Sequence, residues 1–341
     1  MKVEFHKKEE WFQFYDVNGN LIKRKTEIRF DPLTKETSRL VFDPGLALSP
    51  PDYSKEAVKT SGKNCPFCSE NVLKLTPVLP KDIEESGRIS RGEALLFPNL
   101  FPYSKHNGVV IFSGDHYVRL KEFSKTMVKD ALMVGQTYIE RVMAKDKQMK
   151  SASINWNYLP ESGGSILHPH MHILVSEEPT NYQSRTNTFA KAFKKETGED
   201  YFNSLYEVEK ERGERWIGQR GKVVWMHAYA PKSHNDYIVV LPKVSSISEI
   251  TEQDWLDFAT SLTAIFSALD EQALASFNMI LNFNEETDGI SIHGRLIPRL
   301  TIGQLNTSDV NFFQALHHEP LSYKIPEEVA KIARGHFIRG L

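Results

Sequence analysis

Apolar and polar residues alternate along the first forty positions, a pattern typical of strands with one buried face. The alternation is clear over 10–17 and again from Leu21, and Asn18-Gly19 lies between these two runs. Asn-Gly between alternating runs is a strong hairpin signal. The sequence therefore predicts a hairpin near the N-terminus and a further strand at 39–42.

The segment 95–176 combines strand and helix patterns. Runs of apolar residues at 107–113 and 153–158 predict two strands. Between them, 121–145 predicts an amphipathic helix. Its apolar residues recur at steps of three and four: Phe123, Met127, Ala131, Val134, Tyr138 and Val142. The next strand pattern, 165–175, is unusual because histidine occupies its alternate positions.

The same order of patterns returns later in the chain. Residues 181–221 are polar with helical spacing and predict a helical connector. Beyond the connector, the sequence predicts strands at 222–227, 236–241, 279–283 and 291–297, with a helix from Ser248 or Thr251 to Leu269 between the second and third of these strands.

This repetition indicates an internal duplication, in which the two halves either share one sheet or form two similar units that pack together. We expect an N-terminal half at 1–180, a connector at 181–221 and a C-terminal half at 222–341. Each half would be an antiparallel sheet with packed helices, which is the α+β class.

Composition excludes several classes of protein. The 341 residues are 40% hydrophobic and 25% charged, with a formal net charge of −2. No basic excess points to nucleic acid, and no apolar run approaches the roughly 20 residues that span a bilayer. The N-terminus lacks the apolar core of a signal peptide. Only two cysteines are present, so we expect a reducing cytoplasm.

Those cysteines form the motif Cys65-Pro-Phe-Cys68. A short Cys-x-x-Cys turn can present two thiolates to one metal ion. The motif alone equally fits a redox pair or two unpaired core thiols, because no second Cys-x-x-Cys completes a ligand set.

The candidate chemistry is concentrated in the strand that carries His168, His170 and His172. Alternation places the three imidazoles on one face, and Gly163-Gly164 just upstream allows close approach to a ligand. Imidazoles in this pattern suit a metal site, a nucleophile for phosphorus or general acid–base catalysis. Amides near Gly164 could cradle phosphate oxygens. The alternative is a set of core histidines bonded by their neighbours.

An aromatic segment precedes this strand. Asn99 lies between Phe97 and Phe101 in Leu95–Pro102. The segment is either a core strand that leads into a loop or a pocket where an aromatic ring packs a base and Asn99 bonds it. His116 follows a predicted strand and is by itself an ordinary loop histidine.

These residues resemble the galactose-1-phosphate uridylyltransferase branch of the histidine triad superfamily. The glycine–serine loop followed by His-Pro-His carries the resemblance, which covers nearly the whole chain. Other segments follow the family's order: Arg29-Phe-Asp-Pro-Leu-Thr34, Cys65-x-x-Cys68-x-x-Asn71-Val72, Phe97-x-Asn99-x-Phe101, Phe112-Ser-x-Asp115-His116, Ala230-Pro231, Tyr237-Ile-Val-Val-Leu-Pro242 and Ile297-Pro-Arg-Leu-Thr301.

The resemblance implies a ping-pong transfer through a covalent nucleotidyl-histidine on His170. It also implies a homodimer and a structural zinc ion without an open coordination position. The implied zinc ligands are Cys65, Cys68, His116 and His168. The residues implied at the nucleotide are Asn99, Phe101, Asn157, Gly164 and Ser165, with Ser165 facing the phosphate.

Four departures from the family make the substrate less certain. His172 replaces a glutamine and follows the hydrolase and small-transferase branches, in which the third histidine touches phosphate. A basic stretch is missing at 43–50. His293-Gly-Arg295 replaces a second-half His-x-His or His-x-Glu pair, so a second metal site is doubtful, and 311–318 replaces the hexose-phosphate segment.

We therefore predict transfer of a nucleoside monophosphate between a nucleotide sugar and a sugar 1-phosphate or phosphate. The alternative is a phosphorylase or hydrolase of dinucleoside polyphosphates or ADP-sugars. A third hypothesis is a nucleotide-binding protein without catalysis. The expected partners are a nucleotide sugar or dinucleotide and a phosphorylated small-molecule acceptor.

Overall fold

The computed structural model describes residues 2–42, 48, 50–283 and 289–340. Most of the segment at 43–50, where the family's basic stretch is missing, lies outside the described residues.

The described strands are numbered in chain order. They are β1 His6–Tyr15, β2 Leu21–Phe30, β3 Thr37–Val41, β4 Ile89–Arg91, β5 Ala94–Pro98, β6 His106–Ile111, β7 Ser151–Tyr158, β8 His170–Ser176, β9 Trp216–Arg220, β10 Val223–His227, β11 Tyr237–Leu241, β12 Ser276–Phe283, β13 Ile292–Arg299, β14 Thr301–Ile302, β15 Thr307–Ser308 and β16 Leu321–Ser322.

The helices are numbered in the same way. They are α1 Ser54–Thr60, α2 Val72–Leu75, α3 Lys125–Lys145, α4 Asn181–Thr197, α5 Tyr201–Arg212, α6 Glu252–Glu271, α7 Phe312–Ala315 and α8 Pro326–Arg339. None of the helices in the described ranges is long and apolar enough to cross a membrane.

A ten-stranded sheet joins the two parts of the chain. Its order is β4-β5-β6-β8-β7-β12-β13-β11-β10-β9. From one edge to the middle the order is β4-β5-β6-β8-β7, and from the other edge it is β9-β10-β11-β13-β12. The two orders match, so β6, β7 and β8 correspond to β11, β12 and β13, respectively. The antiparallel pair β7–β12 joins the two sets at the centre. The α+β class is confirmed, and this order supports one sheet shared by duplicated halves.

The predicted N-terminal hairpin is present as β1 and β2, whose turn contains Gly19 at φ +81°. Positive φ at this turn suits glycine, which has no Cβ to clash. The hairpin belongs to a separate sheet of order β1-β2-β3-β16.

Both long helices begin at a side-chain cap. The Ser124 side chain accepts from the Met127 amide at the start of α3. At α6 the cap is Thr251, which forms a capping box with Asp254. The sequence allowed either Ser248 or Thr251 as the N-cap of α6, and Ser248 lies in a short 3₁₀ turn before the helix.

The two faces of the large sheet are covered differently. On one face, α3 packs against the strands of the first half, and α6 and α8 pack against β9 and β10. Trp156 and Trp225 belong to the largest core cluster on this face. The opposite face of the second half is covered by α4 and α5, which pack on Met226 and Val240. In the first half this face carries a smaller cluster around Phe97 and leaves room for a cavity.

Several elements were absent from the sequence expectations, among them α1, α2, β4, β9 and α8. Residues 216–220 form β9 at the end of the predicted helical connector 181–221, because Trp216 and Gly218 pair with β10. The C-terminal helix α8 was not predicted. It packs so closely on β9 that a Cβ at Gly218 would lie 2.4 Å from the Phe337 ring.

Candidate functional site

The structure brings Cys65, Cys68, His116 and His168 together. One potential ligand atom from each lies within 4.8 Å of the others. The Cys68 Sγ is 3.5 Å from His116 Nδ1 and 3.8 Å from His168 Nδ1, and the Cys65 Sγ is 3.9 Å from His168 Nδ1. Tetrahedral zinc bonds of normal length place sulfur and nitrogen ligands about 3.6 Å apart, so these separations fit one ion.

Outer hydrogen bonds orient both imidazoles of this cluster. His168 Nε2 donates to the Ser113 carbonyl at 2.8 Å, which leaves the Nδ1 lone pair for the cluster. His116 Nε2 lies 2.9 Å from Thr60 Oγ1. The Thr60 hydroxyl donates its proton to the Glu56 carbonyl, so it accepts from His116. Both histidines therefore turn an unprotonated Nδ1 towards the cysteines.

The Cys-x-x-Cys loop is held by Asn71, whose Nδ2 donates to the carbonyls of Gly62 and Cys65 at 3.0 and 2.9 Å. The Phe67 amide donates to the Cys65 sulfur at 3.4 Å. The asparagine of the sequence motif thus folds the loop that presents both sulfur atoms.

Burial disfavours the charged forms of these side chains. It raises the pKa of the Cys65 thiol to about 11 and lowers the pKa of His168 to about 4. A cation would compensate two thiolates and use two neutral imidazoles. The donor set fits a bound metal better than the redox pair or core thiols that Cys65-x-x-Cys68 alone left open.

His170 and His172 line a cavity that His168 does not line, so the expectation of three imidazoles on one face is wrong for His168. Strand β8 begins at His170, so His168 lies in the preceding segment and the two rings need not share a face. His170 Nδ1 lies 2.8 Å from the His168 carbonyl, to which it donates. The unprotonated nitrogen is then Nε2. Burial lowers the pKa of His170, which keeps the ring neutral.

A cavity of about 290 Å³ opens in front of this ring. All seven non-metal candidates from the sequence line it: Asn99, Phe101, Asn157, Gly164, Ser165, His170 and His172. The Phe67 ring, which belongs to the Cys-x-x-Cys loop, packs edge-on against His170 at 5.2 Å between centroids. The metal-ligand cluster and the cavity therefore share one wall.

His172 lies beside His170, with 5.2 Å between ring centroids. Burial lowers the pKa of His172 to about 4, so it is neutral at neutral pH. Its Nδ1 is buried without a hydrogen-bond partner in the part of the chain that the structure describes. The Tyr103 ring also packs against His172, with 5.7 Å between the ring centroids. A neutral imidazole here can donate one hydrogen bond into the cavity.

The rim of the cavity is aromatic and exposed. Phe101 and Tyr103 are 76% and 74% exposed, respectively. Asn99 is largely occupied within this rim: its Nδ2 donates to the Phe101 carbonyl and to Asn107 Oδ1, both at 2.9 Å, and its Oδ1 accepts from the Phe101 amide. Asn99 thus shapes the loop that holds the Phe101 ring.

The glycine loop is formed by backbone conformation. Gly163 has φ +87°, and a Cβ on Gly164 would lie 2.9 Å from the Leu159 carbonyl oxygen. The amides of Gly163 and Gly164 donate to the carbonyls of Pro160 and Leu159, so they belong to the turn. The Ser165 side chain is exposed at the cavity wall. Ser165, rather than the glycine amides, is the donor positioned for a ligand.

The second half has a related but closed arrangement. His293 donates from Nδ1 to the Ser291 carbonyl at 3.0 Å, as His170 does to the residue two positions earlier. The His293 ring is stacked on Phe202 with centroids 3.8 Å apart. Arg295 binds Asp236 and the Tyr182 hydroxyl. Cys65, Cys68, His116 and His168 form the only potential metal cluster found in the described ranges.

Sequence reasoning missed the residues that orient the site: Thr60, Ser113 and Asn278. The first two act on His116 and His168 across gaps of more than fifty residues. Asn278 donates to Asn157 Oδ1 at 2.7 Å from the other half of the chain. Ser113 stood in a predicted strand and in a family segment, but neither indicated that its carbonyl accepts from His168, and Asn278 lay just before the predicted strand 279–283.

Comparison with known proteins gives the family. Residues 53–178 match the N-terminal domain of a domain of unknown function (DUF4931). A protein of Archaeoglobus fulgidus, described as an uncharacterized protein, is 32% identical over 336 residues, which cover 97% of this chain and 98% of the archaeal one. The chain belongs to the same family as this archaeal protein.

Solved structures identify the fold. An ADP-glucose phosphorylase from Arabidopsis thaliana with bound ADP-glucose superposes with a TM-score of 0.70 at 17% identity, over 91% of this chain and 98% of that one. A uridylyltransferase gives a TM-score of 0.66 at 19% identity, over 92% and 99%. A galactose-1-phosphate uridylyltransferase-like protein from Arabidopsis thaliana gives 0.69 at 17%, over 90% and 98%. The resemblance to this branch of the histidine triad superfamily is confirmed at the level of fold.

Proposed function

We propose that the protein is a nucleotidyltransferase that carries a nucleoside monophosphate on His170. One observation carries the proposal. His170 is a neutral imidazole whose Nδ1 is bonded to a carbonyl and whose Nε2 is left with a lone pair at the wall of a cavity of about 290 Å³. A neutral, oriented imidazole is a competent nucleophile for phosphorus.

In the first step, Nε2 of His170 forms a bond to the α-phosphorus of a nucleotide sugar. The bond from phosphorus to the bridging oxygen breaks, and the sugar phosphate leaves with that electron pair. Positive charge develops on the ring, and the His168 carbonyl that accepts from Nδ1 stabilises it. In the second step, an acceptor phosphate oxygen attacks the same phosphorus and His170 leaves as neutral imidazole.

The cavity residues take complementary roles in this proposal. His172 and Ser165 donate to the phosphoryl oxygens, and Gly164 permits the tight turn that brings Ser165 to the cavity. Asn157 donates to a ribose or phosphate oxygen. Phe101 packs on the base, and Asn99 holds the Phe101 loop.

We propose that the Cys–His cluster holds zinc, bound by Cys65, Cys68, His116 and His168. Two thiolates and two imidazoles at tetrahedral separations suit zinc. When bound, the ion supplies rigidity, because it pins His168, whose carbonyl orients the nucleophile. The chemistry at phosphorus belongs to the cavity residues.

Two of the structural neighbours support a nucleotide-sugar substrate. One neighbour is an ADP-glucose phosphorylase with ADP-glucose bound, and another is a uridylyltransferase. A second candidate function for this chain is phosphorolysis or hydrolysis of an ADP-sugar or dinucleoside polyphosphate. His172 favours it, since an imidazole replaces the glutamine of the transferase branch at the cavity wall.

The proposal includes a homodimer in the cytoplasm. In the proposed dimer a second subunit covers the apolar rim formed by exposed Leu100, Phe101 and Tyr103. The two cysteines form no disulfide, which suits a reducing compartment.

The test is a screen of nucleotide sugars and dinucleotides labelled at the α-phosphorus, with orthophosphate, sugar 1-phosphates or water as acceptor. We expect labelled nucleotide to transfer to phosphate-bearing acceptors and a labelled protein species when the acceptor is omitted. Release of free monophosphate at the same rate without any acceptor would support hydrolysis. Binding without turnover in every case would contradict an enzymatic function and favour the nucleotide-binding hypothesis.

A further inference from the structure

A chain of hydrogen bonds connects the second half of the molecule to the cavity of the first. Arg299 Nη1 donates to Asn278 Oδ1 at 3.0 Å. Asn278 Nδ2 donates to Asn157 Oδ1 at 2.7 Å and to the Ser162 carbonyl at 2.8 Å. Asn157 lines the cavity. Asn278 and Asn157 are direct cross-strand neighbours on β12 and β7, where the two halves meet.

The direction of these bonds follows from chemistry at both ends. Arginine has donors only, so Asn278 must turn its Oδ1 towards Arg299. The Ser162 carbonyl is an acceptor only, so Asn278 must turn its Nδ2 towards Ser162. Both anchors require the same orientation of the Asn278 amide. The positions of the heavy atoms alone do not distinguish the two ends of an amide, but here the partners do.

The polarity of Asn157 is then determined. Because Asn278 offers it an N–H, Asn157 must accept with Oδ1. Its Nδ2 remains as the group that can face a ligand in the cavity. An asparagine without this neighbour could turn either its oxygen or its nitrogen to the ligand.

Arg299 is itself held firmly. Its Nε and Nη2 donate to the Asp309 carboxylate at 2.9 and 2.7 Å. The Arg299 side chain is 16% exposed and that of Asp309 is 4% exposed. A bidentate pair of this kind fixes the guanidinium plane, so the fixed orientation extends from Asp309 to Asn157. The second bond from Asn278 also fastens the turn at Ser162 that leads into Gly163.

We propose that Asn278 is a positioning residue that forces Asn157 to present an N–H donor to the cavity, where it binds an oxygen of a nucleoside monophosphate. The inference rests on the proposed nucleotidyl transfer and adds a role for the second half of the chain. The oxygen belongs to the phosphate or to the ribose. Both offer acceptor lone pairs to the same donor.

The test is Asn278→Asp, which keeps the shape of the side chain but removes its donor. The new carboxylate still accepts from Arg299, and Asn157 must turn its Nδ2 towards that carboxylate and its Oδ1 towards the cavity. We expect the Kd for UMP and AMP to rise at least tenfold by calorimetry. If the oxygen is on the phosphate, uridine and adenosine bind the variant as they bind the wild type. If it is on the ribose, their Kd rises in parallel.

Two further variants guard against a folding defect. Asn278→Ala leaves Asn157 free to adopt either orientation, and we expect about a threefold rise in Kd. Asn203→Asp makes the same change of charge elsewhere. Its Oδ1 accepts from the Lys243 amide and Ser291 hydroxyl, bonds that an aspartate keeps. This control should bind nucleotide as the wild type does.

A readout without ligand tests the orientation itself. In wild-type protein the Asn157 side-chain amide should exchange rapidly with water by NMR, whereas in Asn278→Asp it should be protected by its new acceptor. An unchanged amide, or an unchanged Kd for nucleotides in Asn278→Asp, would overturn the inference and leave the proposed function intact. A wild-type protein that binds no nucleotide would contradict the proposed function first and this inference with it.

Discussion

His170 and His293 occupy matching places in the two parts of the large sheet but have different surroundings. His170 lies opposite Ile111 on β6, and His293 lies opposite Val240 on β11, the strand at the corresponding position. Each ring donates from Nδ1 to the carbonyl two residues before it, at 2.8 and 3.0 Å. The backbone therefore builds the same oriented, neutral imidazole twice.

The difference lies in what covers the free side of each ring. A cavity of about 290 Å³ opens beside His170, whereas Phe202 of α5 stacks on His293 at 3.8 Å. The neighbours differ as well: Ser291 stands where the first half has His168, and Arg295 stands where it has His172. Orientation of an imidazole is thus a property of the fold, and reactivity depends on access and on the cluster beside it.

The largest effect should come from removing each of the two histidines in turn. We expect His170→Ala to lower nucleotidyl transfer by at least about a thousandfold, because no nucleophile remains, with little loss of thermal stability. His293→Ala should keep most of the activity and lower stability by roughly 2–3 kcal/mol, since a packed ring is lost. Labelled-nucleotide assays and thermal unfolding check both. Equal losses of activity in the two variants would contradict the comparison.

A second experiment copies the second half into the first. The substitution His168→Ser leaves both cysteines and His116 in the cluster but removes one of the four proposed ligands. We expect bound zinc to fall from about one per chain to a small fraction, and stability to fall by about 3 kcal/mol or more, which corresponds to roughly 6–12 °C in Tm. Elemental analysis and calorimetry measure both quantities.

Cys68→Ser provides the matched control, since it removes a different ligand from the same ion. The two variants should lose metal and stability together. Wild-type protein without metal, or either variant with its metal retained, would contradict the ligand assignment.

The buried His293 ring should make the protein less stable in acid. Burial lowers the pKa of His293 to about 4, against an ordinary value of 6.5. Between pH 6.5 and 4 the unfolded chain therefore binds this proton more readily than the folded one, so stability falls as the pH falls through that window. The contribution is about 3 kcal/mol at most. Unfolding by denaturant at several pH values should show a shallower acid loss in His293→Gln than in the wild type. Identical slopes would contradict it.

The smallest effect should come from His172→Gln. Glutamine restores the residue of the transferase branch and can still donate to a phosphoryl oxygen. We expect turnover to fall by no more than about tenfold, the cost of one altered hydrogen bond. The ratio of transfer to hydrolysis products should rise if His172 favours attack by water or phosphate. A loss of turnover as large as that of His170→Ala would show that the assignment of His170 as the nucleophile is wrong.

Patterns in the sequence predicted most elements of the fold because their signals are local. The Asn18-Gly19 turn and the period of α3 were read directly. The C-terminal helix α8 was missed, and β9 was absorbed into a predicted helical connector. Both are defined by contact with each other, as the approach of Phe337 to Gly218 shows. A five-residue strand that directly follows a long helical pattern and pairs only with the next strand, β10, carries a weak local signal.

The candidate site was predicted in part. Its histidines, cysteines and glycine loop have unusual spacing, and the structure gathers them at one cavity and one adjoining cluster. The residues that orient them could not be found in this way. Thr60 and Ser113 act through one hydroxyl and one carbonyl, and Asn278 acts from the opposite half of the chain. Such roles depend on three-dimensional partners and leave no pattern in the sequence.

The central claim is that only the open imidazole is nucleophilic, and one measurement tests it most directly. Wild-type protein is incubated with a nucleotide sugar in the absence of acceptor. The reaction is stopped at alkaline pH, which preserves phosphoramidate bonds, and the modified peptide is identified by mass spectrometry. We expect a single nucleotidyl adduct on the peptide that contains His170, with none on the peptide that contains His293. An adduct on His172 or His293, or no adduct while turnover proceeds, would contradict it.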